Sequence, residues 1–209
     1  MMLQASRLAL DRGYRRLFSE LAFTLQAGEA LRVTGPNGSG KTSLLRVLCG
    51  LAQPSAGEVL WRGQALNHDR EAFHRELLYV GHLSGIKDDL NPIENVQAAA
   101  AWRGRPCSEA QALSALSELG LRTRARVPSR ALSQGQRRRV LLAQLALQPA
   151  AHLSILDEPF NALDQDSIAL VTALLEQQLD AGGAVVYTTH QGQTLRARHT
   201  HELKLGGRA

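Results

Sequence analysis

Apolar residues along the chain fall into two textures. In Gly28–Gly35 (GEALRVTG), Gly57–Gly63 (GEVLWRG), Glu76–Val80, Leu153–Asp157 (LSILD) and Ala184–Thr189 (AVVYTT) they form short runs bounded by glycine or polar residues. Such runs predict buried strands. From Thr42 to Leu48 the spacing is helical, and Gly50 and then Pro54 stop the helix. From Glu94 the texture shifts to Ala, Leu, Gln and Glu at helical spacing. NVQAAAAW, SEAQALSALSELG and LSQGQRRRVLLAQLAL carry this helical block to about Pro149, and a further helix, SIALVTALLEQQLD, lies between the last two strands. Strand, helix, strand in series predicts an α/β fold with a mostly parallel sheet and crossover helices. The chain reads as one domain, 1–209. Its α/β core is expected over 1–93 and 150–209, with a helical subdomain inserted at 94–149. No internal repeat or low-complexity segment stands out.

Composition narrows this picture only slightly. With 209 residues and 44% apolar content, the chain can bury a proper core. Aromatics at 4% argue against a surface that stacks on many bases. A formal charge of +5 allows anionic partners without choosing among them. Cys49 and Cys107 match neither a zinc pattern nor a disulfide framework, and Cys49 is expected to pack as a small apolar residue. The N-terminus lacks the apolar stretch of a signal peptide. The richest apolar segment, VLLAQLALQPAAHLSIL, is broken by Gln144, Gln148, Pro149 and His152 and does not read as a membrane span.

The chemistry begins at GPNGSGKT: Gly35, Pro36, Asn37, Gly38, Ser39, Gly40, Lys41 and Thr42. This is the P-loop pattern, with an apolar strand before it and a helix after it. Its glycines let backbone N–H groups turn inward as an anion nest, and the helix after it adds its positive end. Lys41 is placed to reach the β- and γ-phosphates of ATP, and the Thr42 hydroxyl to ligand Mg²⁺. LSILDEP supplies a partner. Asp157, ending a buried strand, is a metal-shell candidate, and Glu158 a candidate general base for an attacking water. Ser154, in the same strand, is expected to hydrogen-bond locally and has no catalytic reading.

LSQGQRRRV places Ser133 as an N-cap and Gly135 where backbone can approach closely. The helix begun there offers a second anion site, apart from the sheet that carries Lys41. Two chains packed head to tail can use both sites, with two ATP molecules between them. Arg137, Arg138 and Arg139 point in successive directions on this helix and are expected to be a solvated or ion-paired surface.

Taken in order, Gly35–Thr42, Leu132–Gln136, Asp157–Glu158, Asp164 and His190 resemble the nucleotide-binding subunits of ATP-binding cassette (ABC) transporters over almost the whole chain. The resemblance implies a RecA-like P-loop NTPase core with an N-terminal antiparallel β portion and an inserted helical signature subdomain. It implies that Ser133, Gly135 and Gln136 of LSQGQ close on ATP held by the opposite subunit. Glu158 would then be the catalytic base, Asp164 in NALD the residue that crosses the dimer, and His190 in YTTH the contact to the γ-phosphate. RGYRRLF, YVGHLSGIKDDLNPIEN, DEPFNALD and TTHQ resemble more narrowly the ATPase subunits of haem-exporter complexes in bacterial cytochrome c maturation. That implies a peripheral ATPase on the cytoplasmic face of the bacterial inner membrane, paired with a second copy of itself and docked on integral membrane subunits. It also implies a pathway that serves a haem chaperone. Haem translocation and release of the loaded chaperone both fit.

Two positions depart from the general cassette pattern. Where most cassettes stack an aromatic on adenine, this chain offers Arg12, with Tyr14 two residues on; either can stack, the guanidinium plane included. Where most carry the Q-loop glutamine, it has His82. Imidazole is a poor ligand for hard Mg²⁺. His82 is therefore expected to sense the γ-phosphate or attacking water by hydrogen bonding and to relay nucleotide state into Ser84–Asn95. Other readings are an ATPase of a different ABC exporter, a soluble ABC ATPase acting on nucleic acid, and a catalytically silent nucleotide sensor. The single cassette, the lack of a heptad arm and the full set of site residues count against the last two, and no nucleic-acid partner is expected.

Overall fold

Four of the strands that the hydrophobic runs predict join a five-stranded sheet, and the fifth, at Gly57–Gly63, joins another sheet with the N-terminal segment. The computed structural model describes residues 2–82, 85–147, 153–190 and 192–206. In the first sheet, β1 (Leu3–Arg12) pairs antiparallel with β2 (Arg15–Leu25) on one side and β4 (Ala56–Trp61) on the other; β5 (Gln64–Ala65) extends it in the order β2-β1-β4-β5. This is the antiparallel portion that the family resemblance implied. Periodicity alone did not single out β1 and β2, and their irregular pairing explains why. Register shifts occur after Ala5 and Leu8 of β1, so the alternation of apolar and polar positions slips along the strand.

The second sheet is wholly parallel. Its members are β3 (Glu29–Thr34), β6 (Leu77–Val80), β7 (Leu153–Leu156), β8 (Ala184–Thr188) and β9 (His199–Lys204), in the order β6-β7-β8-β3-β9. Side chains alternate cleanly between its two faces. Leu31, Val33, Leu153, Ile155, Ala184 and Val186 join a core with α1 (Lys41–Leu48) and the antiparallel sheet. Ala30, Leu156, Val185 and Tyr187 join a second core on the opposite face. Both faces are covered, so these strands read as near-continuous apolar runs. β9 (HTHELK) is an edge strand, half exposed and polar, and gave no such signal.

The second core also holds α6 (Gln165–Asp180) and the helical block. That block contains α3 (Pro92–Trp102), α4 (Glu109–Glu118) and α5 (Gln134–Leu142), and α3 starts two residues before the expected Glu94. A short α2 (Arg70–Glu76), not foreseen, precedes β6. The expected end of the block at Pro149, the boundary at 150, Ser84 at the start of the relay segment and Gln191 of TTHQ lie outside the described residues. Ser154 corrects an expectation. Its hydroxyl donates not locally but across to Gln178 Oε1 on α6, 2.8 Å away, because β7 turns that residue to the helix-covered face. Cys49 is buried as expected, and burial pushes its thiol well above the ordinary range.

Candidate active site

Parallel strands gather their C-terminal ends along one edge of the sheet, which is where ligands of open α/β folds bind. The order β6-β7-β8-β3 therefore lines up four strand ends: His82 comes after β6, Asp157 and Glu158 after β7, His190 after β8 and the P-loop after β3. A cleft of about 260 Å³ is lined by Arg12, Leu17, Asn37, Gly38, Gly40, Lys41, Thr42, Ser43, His82, Asp157, Glu158 and His190. The fold thus brings together residues that are up to 178 positions apart, from Arg12 to His190.

The P-loop is braced from behind. Gly35 has φ of 140°, and a β-carbon there would stand 2.4 Å from the Leu205 carbonyl oxygen, so the end of β9 requires glycine at the loop's first position. Lys41 is buried, and its Nζ donates to the carbonyls of Gly35 at 2.8 Å and Pro36 at 3.2 Å. Its charge is held inside the curve of the loop. Thr42 Oγ1 donates to Asp157 Oδ2 at 2.7 Å, and Thr188 Oγ1 donates to Asp157 Oδ1 at 2.8 Å. Thr42 and Asp157 thus present hard oxygen donors side by side. Mg²⁺ takes one or two carboxylates plus substrate phosphates, and this donor set fits it. Among the described residues no cluster of three His, Cys, Asp or Glu forms a metal cage.

Glu158 occupies an unusual backbone conformation, with φ of 51°. Non-glycine residues rarely enter this region, and they persist there only when their surroundings over-determine them. Here Thr188 Oγ1 accepts the Glu158 N–H at 2.8 Å, and Arg138 donates to the Glu158 carbonyl at 2.9 Å. The carboxylate oxygen Oε1 is buried, with His190 Nε2 3.2 Å away and no hydrogen bond of good geometry among the described residues. His190 itself is exposed.

The remaining candidates divide. Arg12 lines the cleft, whereas Tyr14 projects fully into solvent from the β1–β2 turn and lines no part of it. Ser133, Gly135 and Gln136 lie outside the cleft. Ser133 and Gln136 form a reciprocal capping box, with Gln136 N–H donating to Ser133 Oγ at 3.2 Å and Ser133 N–H to Gln136 Oε1 at 3.0 Å. Gly135 lies against the Ala162 carbonyl. Asp164 is the N-cap of α6 and accepts the Ser167 N–H at 2.9 Å, which with the Ser167 hydroxyl holds its pKa below the usual carboxylate value. One chain does not close its own signature segment on its own P-loop.

Two residues carry more than the sequence suggested. Thr188 bridges Asp157 and Glu158, and its only signal was the YTTH pattern. Arg138 is buried, contrary to the expected arginine surface. Arg137 pairs with Asp88, and Arg139 donates to the Leu119 carbonyl at 3.1 Å. Arg138 instead reaches the carbonyls of Gly81, Asp157 and Glu158.

A family profile described as "ABC transporter" matches residues 18–161. The chain is 48% identical over 204 residues to the cytochrome c biogenesis ATP-binding export protein CcmA of Nitrosomonas europaea, covering 98% of this chain and 95% of that protein. It is 47% identical over 190 residues to the protein of the same name from Escherichia coli K12, covering 91% and 89%. Among solved structures, a putative ABC transporter ATP-binding protein from Pyrococcus furiosus superposes with a TM-score of 0.82 at 22% identity, covering 97% of this chain and 98% of that one. The ATP-binding cassette MJ0796, in a dimeric post-hydrolysis state bound to ADP and Pi, gives 0.79 at 23% identity, covering 91% and 88%. These structural likenesses speak for the fold. The profile covers well over half of the chain and the relatives nearly all of it, and so the chain belongs to the ABC transporter family, alongside the cytochrome c biogenesis ATP-binding export proteins.

Proposed function

We propose that this protein is the ATP-hydrolysing subunit of a membrane ABC complex in c-type cytochrome maturation. The observation that carries the reading is the convergence of Lys41, Thr42, Asp157, Glu158, His190 and His82 on one cleft from the ends of neighbouring strands. In this reading the P-loop amides and Lys41 hold the β- and γ-phosphates. Thr42 and Asp157 hold Mg²⁺, which when bound supplies positive charge for the transferring phosphoryl group. Glu158 accepts a proton from the attacking water, and its buried, unbonded Oε1 is placed for that role. His190, beside Glu158, contacts the γ-phosphate. Arg12 serves the base in preference to Tyr14, which stands outside the cleft.

His82 lines the same cleft and also a neighbouring hollow with Gln134, Arg137, Arg138 and Glu158. This placement supports a sensor that hydrogen-bonds to nucleotide or water and passes the state onward. The second half of the site comes from a second copy, whose Ser133, Gly135, Gln136 and Asp164 close on the nucleotide. Two ATP molecules are then held between head-to-tail subunits. No helix among the described residues is long and apolar enough to cross a membrane. In this reading the subunit works from the cytoplasmic face of the inner membrane, on integral partners that serve a haem chaperone.

The test is Glu158→Gln. The variant is expected to bind ATP, to lose nearly all turnover, and to accumulate as an ATP-dependent dimer in size-exclusion chromatography with Mg²⁺. Wild-type turnover in the variant would reject the assignment. Turnover that responds to haem or to the haem chaperone in the complex purified from membranes would establish the pathway; salt-sensitive retention on nucleic acid without membrane association would refute it.

A further inference from the structure

We propose that Arg138 is a positioning residue for ATP hydrolysis: its buried guanidinium clamps the backbone of Asp157, Glu158 and Gly81, and so aims the Glu158 carboxylate and holds His82 beside it. The proposal rests on the reading of Glu158 as the base.

One guanidinium nitrogen of Arg138 donates to the Asp157 carbonyl at 2.6 Å and to the Glu158 carbonyl at 2.9 Å. The other donates to the Gly81 carbonyl at 3.0 Å, at the end of β6 and one residue before His82. The residue is only 9% exposed, and Nε is buried without a partner among the described residues. A buried charge is costly unless it is well bonded, so a position that needed only packing would not favour arginine. Burial lowers the Arg138 pKa while Asp157 and Glu158 oppose the shift, which agrees with a cation desolvated between two acidic residues.

Three segments meet at this side chain: the signature helix α5, the β7 end and the β6 end. The planar fork of arginine lets one side chain bond carbonyls in different directions at fixed angles. Its effect is greatest at Glu158. Thr188 pins the amide on the N-terminal side of that residue and Arg138 pins the carbonyl on the other. The peptide groups flanking a left-handed, non-glycine residue are thus both fixed, and with them the direction of its side chain. Arg137 and Arg139 bond within the helical block and its approach segment. Of the three arginines, the middle one links the signature helix to the hydrolytic site.

The experiment compares Arg138→Met and Arg138→Lys with Glu158→Gln in the full-length chain, together with the membrane subunits that co-purify. Met keeps the volume and removes every donor; Lys keeps the charge and a donor but not the fork. We expect folded R138M to keep its KM for ATP within about threefold and to lose kcat by roughly a hundredfold, the size of effect a displacement of ~1 Å produces. R138K should recover part of that loss at an unchanged KM. A folded R138M with wild-type kcat and only a lowered melting temperature overturns the proposal, because a structural brace would behave in that way. Should R138M fail to fold, R138K decides: reduced kcat at constant KM supports the proposal, and wild-type kcat overturns it. An inactive Glu158→Gln beside a fully active R138M removes the proposal alone. A fully active Glu158→Gln removes the reading of the base, and the proposal with it.

Discussion

A single β-carbon on Gly135 would stand 2.6 Å from the Ala162 carbonyl oxygen, well inside any tolerated contact. Ala162 is itself held at φ of 63°, so the segment before α6 has little freedom to retreat. Gly135→Ala should therefore destabilise the chain by about 1–3 kcal/mol, the usual cost of overpacking. Urea unfolding checks this, and an unchanged midpoint would mean that the α5–Ala162 contact is soft. The sequence already marked Gly135 as a place of close approach, but not the group that approaches. The P-loop was legible because its eight residues act together within one turn of chain. Arg138 was not, because its acceptors lie 57, 19 and 20 positions away, beyond any local pattern.

Asn95 shows how an element is fastened. It lies within α3, buried, and its side chain accepts the Lys87 N–H at 2.7 Å. Its amide is 3.0–3.2 Å from the carbonyls of Lys87, Leu90 and Asn91 and from the Ser129 hydroxyl. One side chain so fastens the segment after His82 to α3 and to the short turn at Ser129–Ala131. Replacing it by alanine leaves buried polar groups unpaired, at about 1–3 kcal/mol for each group left unsatisfied. Asn95→Ala is therefore expected to unfold at lower urea and to lose hydrogen-exchange protection at the Lys87 amide; protection at the wild-type level would contradict this account. The start of α5 was readable in the sequence. Ser133 was expected as an N-cap and is one, because a cap is satisfied within four residues. β9 and α2 escaped notice because neither carries an apolar run long enough to mark it.

At the scale of the whole molecule, the helical block shares a core with the parallel sheet. Leu116, Leu119 and Val140 of the helical block belong to the same apolar core as Val185 and Tyr187 of β8. We therefore read 94–149 as an insertion in sequence that has no core of its own. Differential scanning calorimetry should give one transition, with calorimetric and van't Hoff enthalpies in agreement. Two resolved transitions would mean that the helical block folds independently.

Local pattern and motif chemistry were enough to indicate the α/β class, the P-loop motif, the Asp157–Glu158 pair as site candidates and the family resemblance. Each depends on residues adjacent in the chain or on backbone periods that run along it. The strand order, the preference for Arg12 over Tyr14 in the cleft, the left-handed backbone at Glu158 and the burial of Arg138 came from the fold. Those features depend on which distant segments are packed side by side, and hydrogen bonds between such segments leave no periodic trace in the sequence.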